Sequence, residues 1–595
     1  MSHIELPPTP DPAFPSYECL SYAWGDASDR SEIYVGNRVI RVSRNLVESL
    51  VHLRHRELPR TMWIDSLCID QGNMAERSKQ VGRMSDIYSS ADRVIVWLGP
   101  ESEDSRLAMD TLIDLSRKID VHLEDTNKFI PLDGDPETGR WCDYNYRLPF
   151  KDTQIKALCN LYNRAWFERL WVWQEIRLGI KRSIIRVGHD SLLWTRFWVI
   201  SYFLYRKREY ALGPAFFTIK NRLETVNDMM NNITQSPMQS LALRTCLSKC
   251  SEPRDRVYAL MGITTDETMI KADYTLSVGD AYKDLVRQNL RQLGNLEILS
   301  VCSYLAKSRE EMLTWVPDLR VPNRRKRWFD LDGAGEPPAS ATYVPPGTLE
   351  TTGTRVDTVT SVHALPNSGT DNEIIDHLRR LAPVSLASQP YIAGGNTLDA
   401  YCRSFFANEF LDRYQPAGDF LLFNFMNFTQ ALGFFIADDP KSDPEALAFF
   451  VNTFTIQTAG RSLFTTRSGY VGLASDQAQL GDEVIHILGC RWPMLLRPVT
   501  EEGGESQYMV VGFVKWWSAY MHAQTKELQI QDPRLGPLPD GWRIKDHKEA
   551  RLWNWYVNDD KEIETTTELK WRSDPRLTAT ALRDRGVVIE AFRLV

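Results

Sequence analysis

Along the first 190 residues, short apolar runs alternate with stretches whose apolar residues recur every three or four positions. Residues 17–25 (YECLSYAWG) read as a strand entering a Gly-Asp turn. Residues 32–43 (EIYVGNRVIRVS) alternate around a Gly-Asn pair, a hairpin signal. In residues 43–54, Leu46, Leu50 and Leu53 share one helical face, and Ser43 is placed to cap it. Residues 61–70 (TMWIDSLCID) read as a second strand with a polar end. Asn73 with Glu76 three residues on opens a helix whose Val81, Met84, Ile87 and Tyr88 share a face. Residues 92–100 (DRVIVWLGP) are almost continuously apolar, as a parallel strand covered on both faces should be. Residues 163–179 predict a helix ended by Gly179, and 183–189 another strand. This alternation predicts a doubly wound α/β layer with a parallel sheet over residues 1–190.

Residues 191–331 predict a mostly helical middle region, clearest at 280–290 (DAYKDLVRQNL). Gly and Pro cluster at 332–347, which marks a boundary. Residues 348–595 then mix helices with strands at 481–489, 508–517 and 586–595, an α+β pattern. No internal repeat is visible. Residues 420–437 form an uncharged run of nearly membrane-spanning length. Asn424, Asn427, Thr429 and Gln430 interrupt it and two aspartates follow, so it reads as a buried helix or helix pair, without stable membrane insertion.

Length and composition narrow the picture. At 595 residues the chain exceeds one core, and about three domains are expected. Apolar residues are 43% and charged residues 25%, which argues against general disorder. A net charge of −8 removes the general electrostatic basis for binding nucleic acid. Nine scattered cysteines form no paired CxxC set, and the N-terminus MSHIELPPTPDP resembles no leader, so a reducing, cytoplasmic setting is expected. Cys246 and Cys250 lie one turn apart without two further ligands, and no metal is expected. The basic run 323–328 (NRRKRW) reads as a solvated loop before it reads as a nuclear address.

Three blocks in order, residues 17–26, 58–99 and 163–179, resemble the fungal heterokaryon-incompatibility (HET) domain family. Weaker family-like pieces follow at 253–262, 314–320 and 468–484. Family members usually carry a further strand before the first block, and only 16 residues precede Tyr17, so one sheet edge or the gene start is expected to differ. HET domains are in turn similar to TIR domains, which implies a TIR/flavodoxin-like N-terminal fold. The resemblance implies non-self recognition and regulated cell death, through self-association and a protein partner from an incompatible allele.

It also implies a site. Trp171 and Glu175 reproduce the W-x-x-x-E spacing of TIR enzymes that cleave NAD, which makes Glu175 the candidate catalytic residue. NAD would be a substrate; no cofactor is implied. Cleaving the nicotinamide–ribose bond develops an oxocarbenium-like cation and releases a leaving group that is already positively charged. One carboxylate can stabilise that cation, and aromatic walls can stack on the base. Tyr22, Trp24 and Trp171 are the aromatic candidates. Asp65 and Asp70, at the end of a predicted strand, are candidates for ribose contacts. The structural alternatives are that Glu175 pairs with Arg169 or Arg177 on a solvated face, and that the two aspartates are turn or cap residues. Ser21 has no partnered histidine, and His52 and His55 fall near the solvated side of their helix, so none of the three is a candidate. Three other functions compete: a non-enzymatic signalling module, an accessory protein of a secondary-metabolite gene cluster, and a toxin acting on membranes through residues 420–437.

Overall fold

The computed structural model of the protein describes residues 15–26, 28–55, 57–122, 128–179, 182–207, 216, 218–230, 236–264, 270–302, 312–321, 338–408, 410, 426–490, 492–499, 506–516, 538, 541–545, 555–558 and 575–595. The basic run 323–328 lies outside them, as do residues 420–425. The chain packs as two compact units, residues 1–265 with 269–278, and residues 266–268 with 279–595.

The first unit is a layered α/β structure. Its strands are β1 (Glu18–Tyr22), the hairpin β2 (Arg30–Val35) and β3 (Arg38–Ser43), β4 (Met62–Trp63), β5 (Arg93–Trp97), the small pair β6 (Ile119–Val121) and β7 (Phe129–Pro131), β8 (Ile184–Val187) and β9 (Asp190–Leu193). The central sheet runs β4-β1-β5-β8-β9. Its first four strands are parallel, and β9 turns back antiparallel onto β8. In β5, Val94, Ile95, Val96 and Trp97 are all buried, because helices cover both faces of a central parallel strand.

The helices are α1 (Arg44–Leu53), α2 (Asp65–Cys68), α3 (Met74–Val81), α4 (Met84–Ser89), α5 (Ser105–Lys118), α6 (Pro136–Trp141), α7 (Asp152–Tyr162), α8 (Val172–Leu178), α9 (Trp194–Arg206), α10 (Lys220–Met230), α11 (Met238–Arg244) and α12 (Asp255–Tyr258). Ser43 caps α1 by accepting from the Leu46 amide, and Asn73 caps α3 by accepting from those of Ala75 and Glu76. α9 packs against α5 and α10, so the helices that composition placed in a middle region extend the first unit.

Three local expectations are corrected. The strand read over 61–70 is only Met62–Trp63, followed at once by α2; Asp65 thus begins a helical turn instead of ending a strand. The helix read through Val81 to Tyr88 is two helices, interrupted at Gly82–Arg83. The helix read over 163–179 is also broken. A 3₁₀ turn spans Ala165–Glu168, Arg169 is extended (φ −75°, ψ 144°), and α8 begins only at Val172. The cause is a bridge to Lys249: the Leu170 amide donates to its carbonyl at 2.9 Å, which takes the backbone out of helical pairing.

The second unit opens with α13 (Val278–Leu293). It continues through β10 (Ala341–Val344), β11 (Thr348–Ala364), α14 (Asp371–Leu381), α15 (Thr397–Phe405), α16 (Phe428–Ile436), α17 (Pro444–Thr458), β12 (Arg461–Thr466), β13 (Val471–Ser475), β14 (Glu483–Ile487), β15 (Met494–Val499), β16 (Gln507–Phe513), β17 (Lys515–Trp516), the hairpin β18 (Trp542–Lys545) and β19 (Trp555–Asn558), α18 (Ala579–Asp584) and β20 (Glu590–Leu594). Strands β11, β14, β15, β16 and β20 close into a ring, β11 pairing with both β14 and β20. Val484, Leu495 and Val511 of its strands share a buried core with Phe464 of β12 and Ala474 of β13. The uncharged run yields α16, whose Ala431 and Phe435 join a core with α14, α15 and α17. Among the described residues, no helix is long and apolar enough to cross a membrane.

Gly353 lets β11 and β14 approach. A Cβ there would stand 2.6 Å from the His486 carbonyl oxygen and 3.1 Å from Ile487 Cα, both backbone atoms that cannot step aside. Gly353→Ala is expected to cost the ring about 1–3 kcal/mol. The check is a lowered urea midpoint of the full chain.

Candidate functional site

The carboxyl ends of β1 and β4, with α8 packed over β1 and β5, bring most of the candidate residues together. Glu175 is 1% exposed, which overturns its placement on a solvated face. Its Oε2 accepts a hydrogen bond from the Ser21 hydroxyl, which in turn accepts from Trp166 Nε1 at 2.8 Å. Its Oε1 faces Arg169 Nη1 at 3.7 Å, and that same nitrogen donates to the Tyr22 carbonyl. Arg177 points elsewhere, donating to the Met229 carbonyl at 2.8 Å.

Asp65, 9% exposed, is the second carboxylate of the site. Trp24 Nε1 donates to its Oδ2 at 2.9 Å, and its own neighbour's amide, Ser66 N, donates to Oδ1 at 2.7 Å. The Tyr22 hydroxyl pairs with Ser66 Oγ at 2.7 Å. Trp24 is the open member, 41% exposed and next to Gly25, whose φ of +77° turns the chain out of β1. Arg169 is the shared cation: it opposes the rise of both carboxyl pKa values.

Burial dominates the electrostatics. It pushes the Glu175 pKa up from 4.5 to about 7, against the pull of Arg169 and of the Ser21 hydrogen bond, and with a further push from Asp65. Burial likewise raises the Asp65 carboxyl. The Tyr22, Tyr88 and Cys19 groups are raised by burial first and then by the negative charge of Glu175 and Asp65. Near neutral pH, Glu175 therefore exchanges between a neutral acid and a carboxylate, the condition of a group available for proton transfer or for stabilising a cation.

Two candidates stand apart. Trp171 turns its indole N–H to Asp255 Oδ2 at 2.9 Å instead of lining the Glu175 cluster. Trp171 is the N-cap of α8, in helical conformation, and its carbonyl accepts from the Glu175 amide at 3.1 Å; the two residues are one turn apart, but their side chains find different partners, Asp255 for Trp171 and Ser21 for Glu175. Asp70 is exposed and accepts from the Gly72 amide at 3.0 Å, the bond of a turn residue. Ser21, set aside in the sequence for want of a histidine partner, joins the cluster, as does Trp166, which was not singled out. The small hydroxyl in the buried β1 run ECLSY was the available signal for Ser21. His52 is half-buried, its ring 5.1 Å from that of Trp97 and 4.9 Å from that of His189, so it is less solvated than its helical position suggested. All nine cysteines are free thiols.

Residues 17–175 match the family model described as heterokaryon incompatibility protein (HET), a span that begins just before β1 and ends on Glu175. The first unit therefore contains a stretch similar to the HET domain. Residues 445–521, which contain β12–β17, match the Het-6 beta-barrel domain, in keeping with the strand ring of the second unit. The chain is 28% identical to heterokaryon incompatibility protein 6, OR allele, of Neurospora crassa, over 54% of this chain and 56% of that protein. It is 23% identical to vegetative incompatibility protein HET-E-1 of Podospora anserina, over 31% of this chain and 12% of that protein. The chain thus spans about half or less of the length of these curated relatives. No solved structure matches it.

Proposed function

We propose that this protein acts in fungal incompatibility, with the HET domain as a cell-death effector that cleaves the nicotinamide–ribose bond of NAD at Glu175. The incompatibility role is supported by the HET match and by two relatives named for incompatibility. A TIR/flavodoxin-like reading of the domain is supported by the sheet order: numbering only the sheet strands along the chain gives 2-1-3-4-5, with the candidate residues beyond the strands' carboxyl ends.

One observation carries the enzymatic reading: a glutamate buried among Ser21, Arg169 and the neighbouring Asp65, with its pKa raised to about 7. Ionised Glu175 would stabilise the ribosyl cation, Asp65 would hold ribose hydroxyls, and Trp24 would stack on the departing base. In the full chain expressed in cells, NAD loss and death are expected, and Glu175→Gln should abolish both. Because the ionised form works, cleavage by the purified protein should rise with pH through about 7. Cell death at normal NAD, unchanged by Glu175→Gln, would overturn this reading.

A second reading is assembly without catalysis. Its support is that Glu175 is almost fully enclosed, with both oxygens engaged, as a packed structural carboxylate would be. Self-association and a protein partner belong to either reading, in the cytoplasm where NAD and fusion partners meet.

A further inference from the structure

The N-terminal end of α8 is tied to a segment that the site does not use. Residues 270–277, in the first unit, lie against α3 and α12 as a strap and lead directly into α13, whose body belongs to the second unit. The strap is well anchored. Ile270, Ala272 and Tyr274 are buried. Arg254 Nη1 donates to the carbonyls of Tyr274 and Leu276, at 2.5 and 2.6 Å. The Tyr258 hydroxyl donates to the Asp273 carbonyl at 2.9 Å, and the Tyr274 amide donates to Ser78 Oγ at 3.2 Å. The Arg77 guanidinium sits 3.9 Å from the centre of the Tyr274 ring.

The carboxylate of Asp255 joins this strap to the helix. It is 4% exposed, accepts from the Tyr274 hydroxyl on Oδ1 at 2.6 Å, and accepts from Trp171 Nε1 on Oδ2 at 2.9 Å. Asp255 is thus spent on two neutral donors from two different segments, with Arg77 only at 3.9 Å. The same stretch of chain holds α8 twice more. Trp173 Nε1 donates to Ser248 Oγ at 3.1 Å, and the Gln174 amide fits with Nε2 donating to the Ala259 carbonyl and Oε1 accepting from the Ser85 amide, each at 3.2 Å.

We propose that Asp255 is a positioning residue, which through Trp171 couples the strap 270–277 to α8 and holds Glu175 in its enclosed place. Two segments share one buried acceptor, so a strap drawn away from Asp255 takes half of its hydrogen bonding with it, and an under-bonded buried carboxylate is costly. α8 then loses the anchor at its first turn, four residues before Glu175. The strap runs covalently into α13, so a displacement of the N-terminal end of α13 reaches α8 through it. The coupling holds whatever Glu175 does; that release exposes a working carboxylate rests on the function proposed above.

The test is hydrogen exchange on the full chain. Tyr274→Phe removes one hydroxyl and keeps the ring over which Arg77 sits. It is expected to speed exchange of the α8 amides at least tenfold while the amides of β5 keep their protection. Asp255→Ala should do the same more strongly, and Asp255→Asn, which can still accept from Trp171 and donate to the tyrosine oxygen, should restore most of the protection. In the same variants NAD cleavage should rise as α8 loosens. Unchanged α8 exchange in Tyr274→Phe, or equal acceleration in α8 and β5, would overturn the coupling. Faster α8 exchange with no NAD cleavage in any variant would leave the coupling standing and remove the enzymatic reading instead.

Discussion

Glu175→Gln is expected to stabilise the protein at pH 8 and to leave it nearly unchanged at pH 5. Burial raises this carboxyl from 4.5 to about 7 in the fold, so the folded state holds its proton more tightly than the unfolded chain does. The sign follows from that displacement. The neutral acid's contribution is fully present below about 4.5 and is lost as pH rises through about 7. Above that point the fold carries an enclosed negative charge that water would solvate better. At about 1.4 kcal/mol per pKa unit, the penalty is about 3 kcal/mol. Glutamine has the shape of the neutral acid, and its amide oxygen can still accept from Ser21. The penalty is therefore absent from the variant at every pH. Thermal unfolding of the full chain and of Glu175→Gln at both pH values measures it: the gap between the two should open by several degrees from pH 5 to pH 8. Parallel pH dependences would mean that Glu175 is already ionised at pH 5, and the account of its environment would fail.

That environment was only half legible in the sequence. The strands β1, β5 and β8 announce themselves by apolar runs, and the hairpin β2–β3 by its alternation around Gly36–Asn37, because these signals are local. The caps at Ser43 and Asn73 were equally local and hold as read. Glu175 looked like a residue on a solvated face because charged neighbours flank it at Glu168, Arg169 and Arg177. What buries it is distant: Ser21 lies 154 residues away, and Lys249 breaks the helix by pairing with Arg169 and Leu170. No periodicity in residues 163–179 encodes that break. Trp171 and Glu175 do lie one turn apart, the Glu175 amide donating to the Trp171 carbonyl, but spacing does not say which partner each side chain finds: Asp255 takes the Trp171 indole and Ser21 the Glu175 carboxylate. The closed ring of the second unit was illegible for a related reason, since β11 and β20 are more than 200 residues apart and their pairing leaves no local trace.

The largest single loss is expected from Arg169→Ala at pH 8. Arg169 is the cation between two enclosed carboxylates: 3.7 Å from Glu175, and the chief influence holding the Asp65 carboxyl down against its burial. It also supplies a donor to the Tyr22 carbonyl at the end of β1. Its removal leaves two negative charges facing each other in a desolvated pocket. Deleting one partner of a buried ion pair costs about 3–5 kcal/mol, far more than the pair itself contributes, because the remaining charge loses its counter-charge. The defect should be strongly pH-dependent. With the cation gone, the Glu175 carboxyl should titrate above about 7, and lowering the pH to 5 should recover much of the stability by neutralising it. The decisive comparison is the double variant. If the cost of Arg169→Ala is electrostatic, adding Glu175→Gln should restore most of the loss at pH 8, and the two substitutions should be strongly non-additive. If Arg169 matters only for its packing and for its bond to Tyr22, the double variant will be as unstable as Arg169→Ala alone, and equally so at both pH values. The same cycle tests the site's chemistry. A pocket in which arginine sets the charge state of a glutamate near neutral pH can be switched between acid and carboxylate by moving that one cation.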